Sequence, residues 1–253
     1  MGNIFDTHAH YDDSAFDEDR EQLLDKLFAA DICGIVNQGT TVETSQFSLQ
    51  LAEKYNNMYA AVGIHPECAD ENSISELETI RQLASHPKAV AIGEIGLDYY
   101  YDVPKDIQQE LFIRQLELAN ELTLPVTIHD REAHGDILEI LKKYKPKGIV
   151  HCFSGSAEMA KEIIKLGMYI GMGGVVTFKN ARKAVEVIKA IPLERLVLET
   201  DCPYLAPVPF RGKRNDSGMI LYVAQCISEI KGITTEEVLL TTKDNAEKVY
   251  NIT

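Results

Sequence analysis

Short runs of β-branched and other apolar residues recur along this chain, each followed by a longer stretch whose apolar positions return every three or four residues. The short runs predict eight strands: Asn3 to His8, Gly34 to Gln38, Tyr59 to His65, Ala89 to Glu94, Pro125 to His129, Gly148 to His151, Met168 to Gly171 and Arg195 to Asp201. Between them the periodicity predicts helices over Glu18 to Ala30, Glu43 to Tyr55, Ile74 to Ser85, Ile107 to Leu122, Ala133 to Lys142, Ala157 to Leu166 and Ala181 to Ala190. Two more helices, Met219 to Ile230 and Thr235 to Val249, follow the last strand, the second behind a Thr-Thr-Glu-Glu capping pattern. Strands alternating with helices, with no Gly/Ser/Pro-rich linker and no low-complexity tract, predict an α/β fold. A (β/α)8 TIM barrel spanning residues 1–253 as one domain is favoured over a doubly wound sheet.

The ends of these strands carry the chemistry. Six of the eight finish on or beside His8, His65, Glu94, His129, His151 or Asp201, and barrel enzymes gather their reactive groups at the carboxyl ends of strands. Simple alternation puts His8 on the face of Ile4, Glu94 on that of Val90 and Ile92, and His151 on that of Ile149, each above an apolar, inward column.

His8 and His10, two residues apart, leave one face of a strand and can converge on one metal ion; taken alone they could equally belong to a surface loop. Joined to His129 and His151, the surface reading loses its weight. Glu94 follows four apolar residues on a buried strand, where a lone carboxylate needs a cation; a metal bridge is favoured over a salt bridge to Arg or Lys. Asp201 reads as a further ligand and general base, with a turn cap before Pro203 as the plainer alternative, and Glu199 as a carboxylate that orients a ligating histidine. His65 is expected to touch a substrate phosphate or simply cap its strand. The basic run holding Arg211, Lys213 and Arg214 falls in the last βα loop, where barrels often bind phosphate, and Arg131 adds a donor two residues after His129. His86 and His134 are expected to be exposed.

With 253 residues, 45% of them hydrophobic, the chain can bury a sizeable core. Five cysteines, Cys33, Cys68, Cys152, Cys202 and Cys226, are scattered and never spaced as CxxC, which fits reduced thiols in a cytoplasmic protein. No charged leader followed by an apolar run is seen, and no stretch reaches the length that spans a bilayer, so no membrane association is expected. The net charge of −14 argues against a broad basic face for nucleic acid. A short phosphate clamp together with two divalent ions could still hold one or two phosphates.

The motifs Asp6-Thr7-His8-Ala9-His10, Gly63-Ile64-His65-Pro66, Gly93-Glu94-Ile95-Gly96-Leu97-Asp98-Tyr99, Ile128-His129-Asp130-Arg131, His151-Cys152-Phe153-Ser154-Gly155, Glu199-Thr200-Asp201-Cys202-Pro203-Tyr204-Leu205 and Arg211-Gly212-Lys213-Arg214-Asn215 resemble those of the TatD-type metal-dependent hydrolases, nearly end to end. The resemblance implies a TIM barrel, a two-metal centre and deoxyribonuclease activity on DNA, including trimming from a 3′ end. It also implies that His8 and His10 hold one metal and His129 and His151 the other, with Glu94 shared and Asp201 completing the first site. One departure is Ser217 after Asp216, where the family commonly has Pro; Ser serves equally at a helix entry.

Mixed imidazole and carboxylate ligands suit zinc, manganese or iron, with magnesium able to support turnover through more water ligands. No protein partner is expected. A related barrel hydrolase acting on a small ester, lactone or cyclic amide is the alternative, weakened because amidohydrolases of that kind often carry a carboxylated Lys where Glu94 stands. A non-catalytic, metal-dependent nucleic-acid-binding module is the alternative of another class; it would have no use for a retained base.

Overall fold

The computed structural model describes residues 2–252. Eight parallel strands pair in chain order: β1 (Ile4–Ala9), β2 (Ile32–Gln38), β3 (Met58–Val62), β4 (Ala89–Asp98), β5 (Val126–Arg131), β6 (Gly148–Val150), β7 (Tyr169–Met172) and β8 (Leu196–Leu198). Helices α1 (Arg20–Ala29), α2 (Val42–Lys54), α3 (Ser73–Ala84), α4 (Lys105–Leu122), α5 (His134–Tyr144), α6 (Ala157–Lys165) and α7 (Arg182–Ala190) fill the crossovers, and α8 (Ile220–Lys231) and α9 (Thr235–Tyr250) follow β8. The predicted cap of α9 forms, with the Thr234 hydroxyl accepting from the Glu237 amide at 3.1 Å. The fold is a TIM barrel.

Two apolar layers account for its stability. Ile35, Val62, Ile92, Ile128 and Val150 point outward and pack beneath the helices. Phe5, Val36, Ala61, Val90, Ile149, Tyr169 and Val197, from seven strands, meet in one cluster that fills the barrel itself. Tyr250 of α9 plugs the floor: its ring stacks on Phe5, and its hydroxyl donates to the Thr7 carbonyl at 3.0 Å. Burying side chains of this size contributes about 1.5–3 kcal/mol each.

Strict alternation does not survive at two ligand positions. In β1 the inward column is Phe5, while Ile4 packs outward, so His8 does not share a face with Ile4. The β1–β2 register shifts between Asp6 and Ala9, and this irregularity turns His8 inward. Likewise Ile92 packs outward, and the β4–β5 register shifts between Ile92 and Ile95, which carries Glu94 to the inside. His151 above Ile149 follows alternation as expected.

Several strand ends also differ from the periodicity. β4 runs to Asp98 rather than Glu94, β3 stops at Val62 with His65 capping a short turn, and β8 stops at Leu198, leaving Glu199 and Asp201 beyond it. The barrel closes between these last residues and β1. The Asp201 amide donates to the His8 carbonyl and the His10 amide to the Cys202 carbonyl, each at 2.9 Å.

Candidate metal centre

The closing seam and the ends of β4, β5 and β6 bring His10, Glu94, His129, His151 and Asp201 to line one cavity of about 350 Å³, with His8 fully buried against Glu94 and Asp201. Asp201 leaves the extended path of β8 with φ at 58°, a left-handed conformation that Asp tolerates better than most residues, and this aims its carboxylate back over β1. His8 Nε2 and His10 Nε2 lie 3.1 Å apart. Each is 3.3 to 3.5 Å from both Glu94 Oε2 and Asp201 Oδ1. Ligands about 2.1 Å from a tetrahedral ion are separated by about 3.4 Å, so this spacing suits a divalent cation.

The other oxygen of Glu94 faces a second group. Oε1 lies 2.8 Å from both His129 Nδ1 and His151 Nε2, which are 3.2 Å apart. Glu94 is buried, which by itself opposes ionisation, but His151, His8 and His65 around it hold its carboxyl well below the usual range. Asp201 is lowered in the same way, against its burial, by His10 and His8. Burial and the neighbouring His151 push His8 down to about 3, leaving it a neutral imidazole with a lone pair to offer.

Hydrogen bonds orient two of the rings, His129 and His65. Asp98 Oδ2 lies 2.9 Å from His129 Nε2 and holds that side of the ring, which turns Nδ1 toward Glu94, where a cation would replace its proton. Burial opposes protonation of His129, yet its contacts with Asp98 and Glu94 raise it to about 9. His65 differs. Its Nδ1 accepts from the Glu67 amide at 3.1 Å, so neutral His65 carries its proton on Nε2, 3.4 Å from Glu94 Oε1. In this tautomer it is a donor beside the cluster, although His65, Glu94 and His129 stand close enough together to hold an ion. His8 Nδ1 and His151 Nδ1 are buried without a hydrogen-bond partner, close to Glu199, whose own Oε2 is unpartnered. Glu199 Oε1 accepts from the Cys152 amide, and burial raises its carboxyl to about 8.

Arg131 lines the cavity, with its guanidinium 3.8 Å from the ring of Tyr100. Arg211, Lys213 and Arg214 do not border it. Arg211 lies over Phe178, and Arg214 makes paired contacts of 2.8 and 2.6 Å with Asp19. Of the other histidines, His134 is half-exposed against Asp130, and His86 is half-buried beside Glu53. Cys202 packs in the outer core behind the site.

Three residues that support the cluster have no role assigned from the sequence. Asp98 is one. Asp6 is another: its oxygens accept from the His8 and Thr200 amides at 3.2 and 3.0 Å, and from the Thr200 and Ser217 hydroxyls at 2.7 Å each. Asn215 holds the Asp201 turn, donating to the carbonyls of Thr200 and Tyr204 at 3.0 and 2.8 Å. The signal for all three was a short polar residue inside or beside a motif that otherwise reads as ligands.

Residues 5–251 match the family described as TatD related DNase. An uncharacterised metal-dependent hydrolase of Bacillus subtilis, YabD, is 46% identical over 98% of this chain and 99% of its own length. The 3′-5′ ssDNA/RNA exonuclease TatD of Escherichia fergusonii is 32% identical over 98% and 99%. The crystal structure of YjjV, a TatD homologue from Escherichia coli, superposes with a TM-score of 0.92 at 34% identity, covering 99% of each chain.

Proposed function

The chain belongs to the TatD-related DNase family of metal-dependent hydrolases, and on that premise we propose that it is a deoxyribonuclease that hydrolyses DNA phosphodiester bonds at a centre of two divalent ions, shortening strands from the 3′ end. The observation that carries this reading is the division of Glu94 between two imidazole groups, Oε2 toward His8 and His10 and Oε1 toward His129 and His151. One divalent ion would be held by His8, His10, Asp201 and Glu94, the other by His129, His151 and Glu94. When bound, such ions lower the pKa of water and polarise a phosphoryl oxygen.

The chain's own groups do the rest. Asp201 is the more open of the two central carboxylates, with its side chain 20% exposed against 3% for Glu94, and it is the group placed to take a proton from the attacking water. His65 Nε2–H and the Arg131 guanidinium are donors for a substrate phosphate. Glu199 sits beneath His8 and His151, where its carboxyl can fix the orientation of one ligand from each group.

The test is cleavage of a 5′-labelled single-stranded oligonucleotide by chelator-stripped protein to which zinc, manganese, ferrous iron or magnesium is restored in turn. A ladder shortening from the 3′ end, absent in Glu94→Gln, is expected. DNA left intact with every metal, by protein that binds metal, would overturn the reading.

A further inference from the structure

Three aromatic side chains are exposed among the described residues, and all three stand at one place. Tyr101 and Tyr204 line the mouth of the cavity, and Tyr100 carries the guanidinium of cavity-lining Arg131 on its ring. Tyr204 is 56% exposed and Tyr100 58%, where chance would scatter such rings over the surface. They are also fixed in place. The Tyr204 hydroxyl donates to Asp13 Oδ2 at 2.6 Å, and its amide to the Asp201 carbonyl at 2.9 Å. The Tyr100 amide donates to Asp98 Oδ1 at 2.9 Å, the carboxylate whose other oxygen holds His129. Tyr100 and Tyr101 meet edge to face, with centroids 5.3 Å apart.

The charge around them is unsuited to gripping phosphates. Asp12, Asp13, Glu67, Glu94, Asp98 and Asp201 line the cavity with a single guanidinium, Arg131, among them. Divalent ions can offset the inner carboxylates, but Asp12, Asp13 and Glu67 lie apart from the cluster. A polyanion approaching this rim gains little from counterion release. Exposed tyrosine faces offer what the charges do not, because every nucleobase has a face that stacks on an aromatic ring.

We infer that Tyr100, Tyr101 and Tyr204, with Arg131, form a stacking platform that grips the unpaired bases of single-stranded nucleic acid next to the scissile phosphate. This rests on the nuclease reading above. The cavity is at the small end of the range for ligand sites, so bases flanking the reacting nucleotide fall on its rim, where the rings stand. Paired bases in a blunt duplex hide their faces and are poor occupants.

The test compares kcat/KM for a 5′-labelled oligonucleotide with that for one of equal length whose 3′-terminal nucleotides are abasic tetrahydrofuran residues. The phosphates are the same, and only the bases differ. The unmodified enzyme is expected to prefer the base-bearing strand on the order of 10- to 100-fold. In Tyr101→Ala/Tyr204→Ala that ratio falls toward one, mainly through KM, while Tyr101→Phe retains it. KM should also rise only shallowly with salt. A ratio unaltered in the double variant, or abasic and blunt duplex strands cleaved as well as the base-bearing single strand, overturns the platform and leaves the nuclease reading standing. If the unmodified enzyme cleaves neither strand with any metal, the nuclease reading fails and the platform fails with it.

Discussion

Asp98 and His129 face each other at 2.9 Å, Oδ2 to Nε2, on neighbouring strands β4 and β5, and this contact decides which ring nitrogen His129 turns toward Glu94. Asp98→Ala is expected to weaken metal binding roughly 10- to 100-fold and to lower activity at limiting metal, with recovery as metal is raised. A metal titration of activity beside that of the unmodified protein checks this. An activity loss that excess metal does not restore would assign Asp98 a different role.

Removing metal should cost stability, because Glu94, Asp98 and Asp201 then share the cavity with only imidazoles and the Arg131 guanidinium to offset them. An ion present at about 100 times its Kd stabilises by about 2.7 kcal/mol. For a chain of this size that corresponds to roughly 5–10 °C in Tm. Thermal unfolding with and without chelator measures it, and Glu94→Gln should show a smaller difference between the two conditions.

Asp6 gives a pH dependence with a definite sign. Burial raises its carboxyl to about 6, against hydrogen bonds from Thr200, Ser217 and His8, while the unfolded value is 3.8. The folded state therefore holds the proton more tightly. That contribution to stability is fully present below about pH 4 and is lost as the pH rises through 6, a change of about 3 kcal/mol. Asp6→Asn lacks this titration, so its stability relative to the unmodified protein should improve between pH 4 and 6. Denaturant unfolding of both across that range, free of metal, provides the comparison.

Arg131 and Arg214 should separate cleanly. Arg131→Ala removes a donor from the cavity wall and is expected to raise KM for DNA roughly 10- to 150-fold, on the scale of one charge-assisted hydrogen bond, ~1.5–3 kcal/mol. Arg214 is engaged by Asp19 and the Ala15 carbonyl, so Arg214→Ala should cost up to about 1 kcal/mol of stability and alter KM by no more than about two-fold. A large rise in KM for Arg214→Ala would return the basic loop to the substrate path.

Where each polar residue falls relative to an apolar run was legible in the sequence, and that was enough for the eight strands and for the residues that converge in the cavity. Which way His8 and Glu94 point was not. Alternation is a local rule, whereas the register shifts beside them arise from pairing with β2 and β5, far away in sequence. The true end of β4 was hidden for a related reason. Gly96 admits a close approach of β5 there, since a Cβ would come within 2.0 Å of the His129 carbonyl oxygen, and no local pattern shows that pairing. Reading β4 as ending at Glu94 left Asp98 outside the strand and concealed its contact with His129. The partner of Arg214 was hidden too, because charge density in a loop does not reveal that an aspartate 195 positions earlier pairs with it.

The seam that closes the barrel joins the His8 carbonyl to the Asp201 amide, so the first cation site draws on two ends of a long stretch of chain. A polypeptide emerging from the ribosome can form its early βα units one by one, yet it cannot assemble this ligand set before residue 201 has been made and returned to β1. Filling of that first site would thus be a late event in biogenesis, and a protein that carries an ion there would, by that fact, have completed its circle.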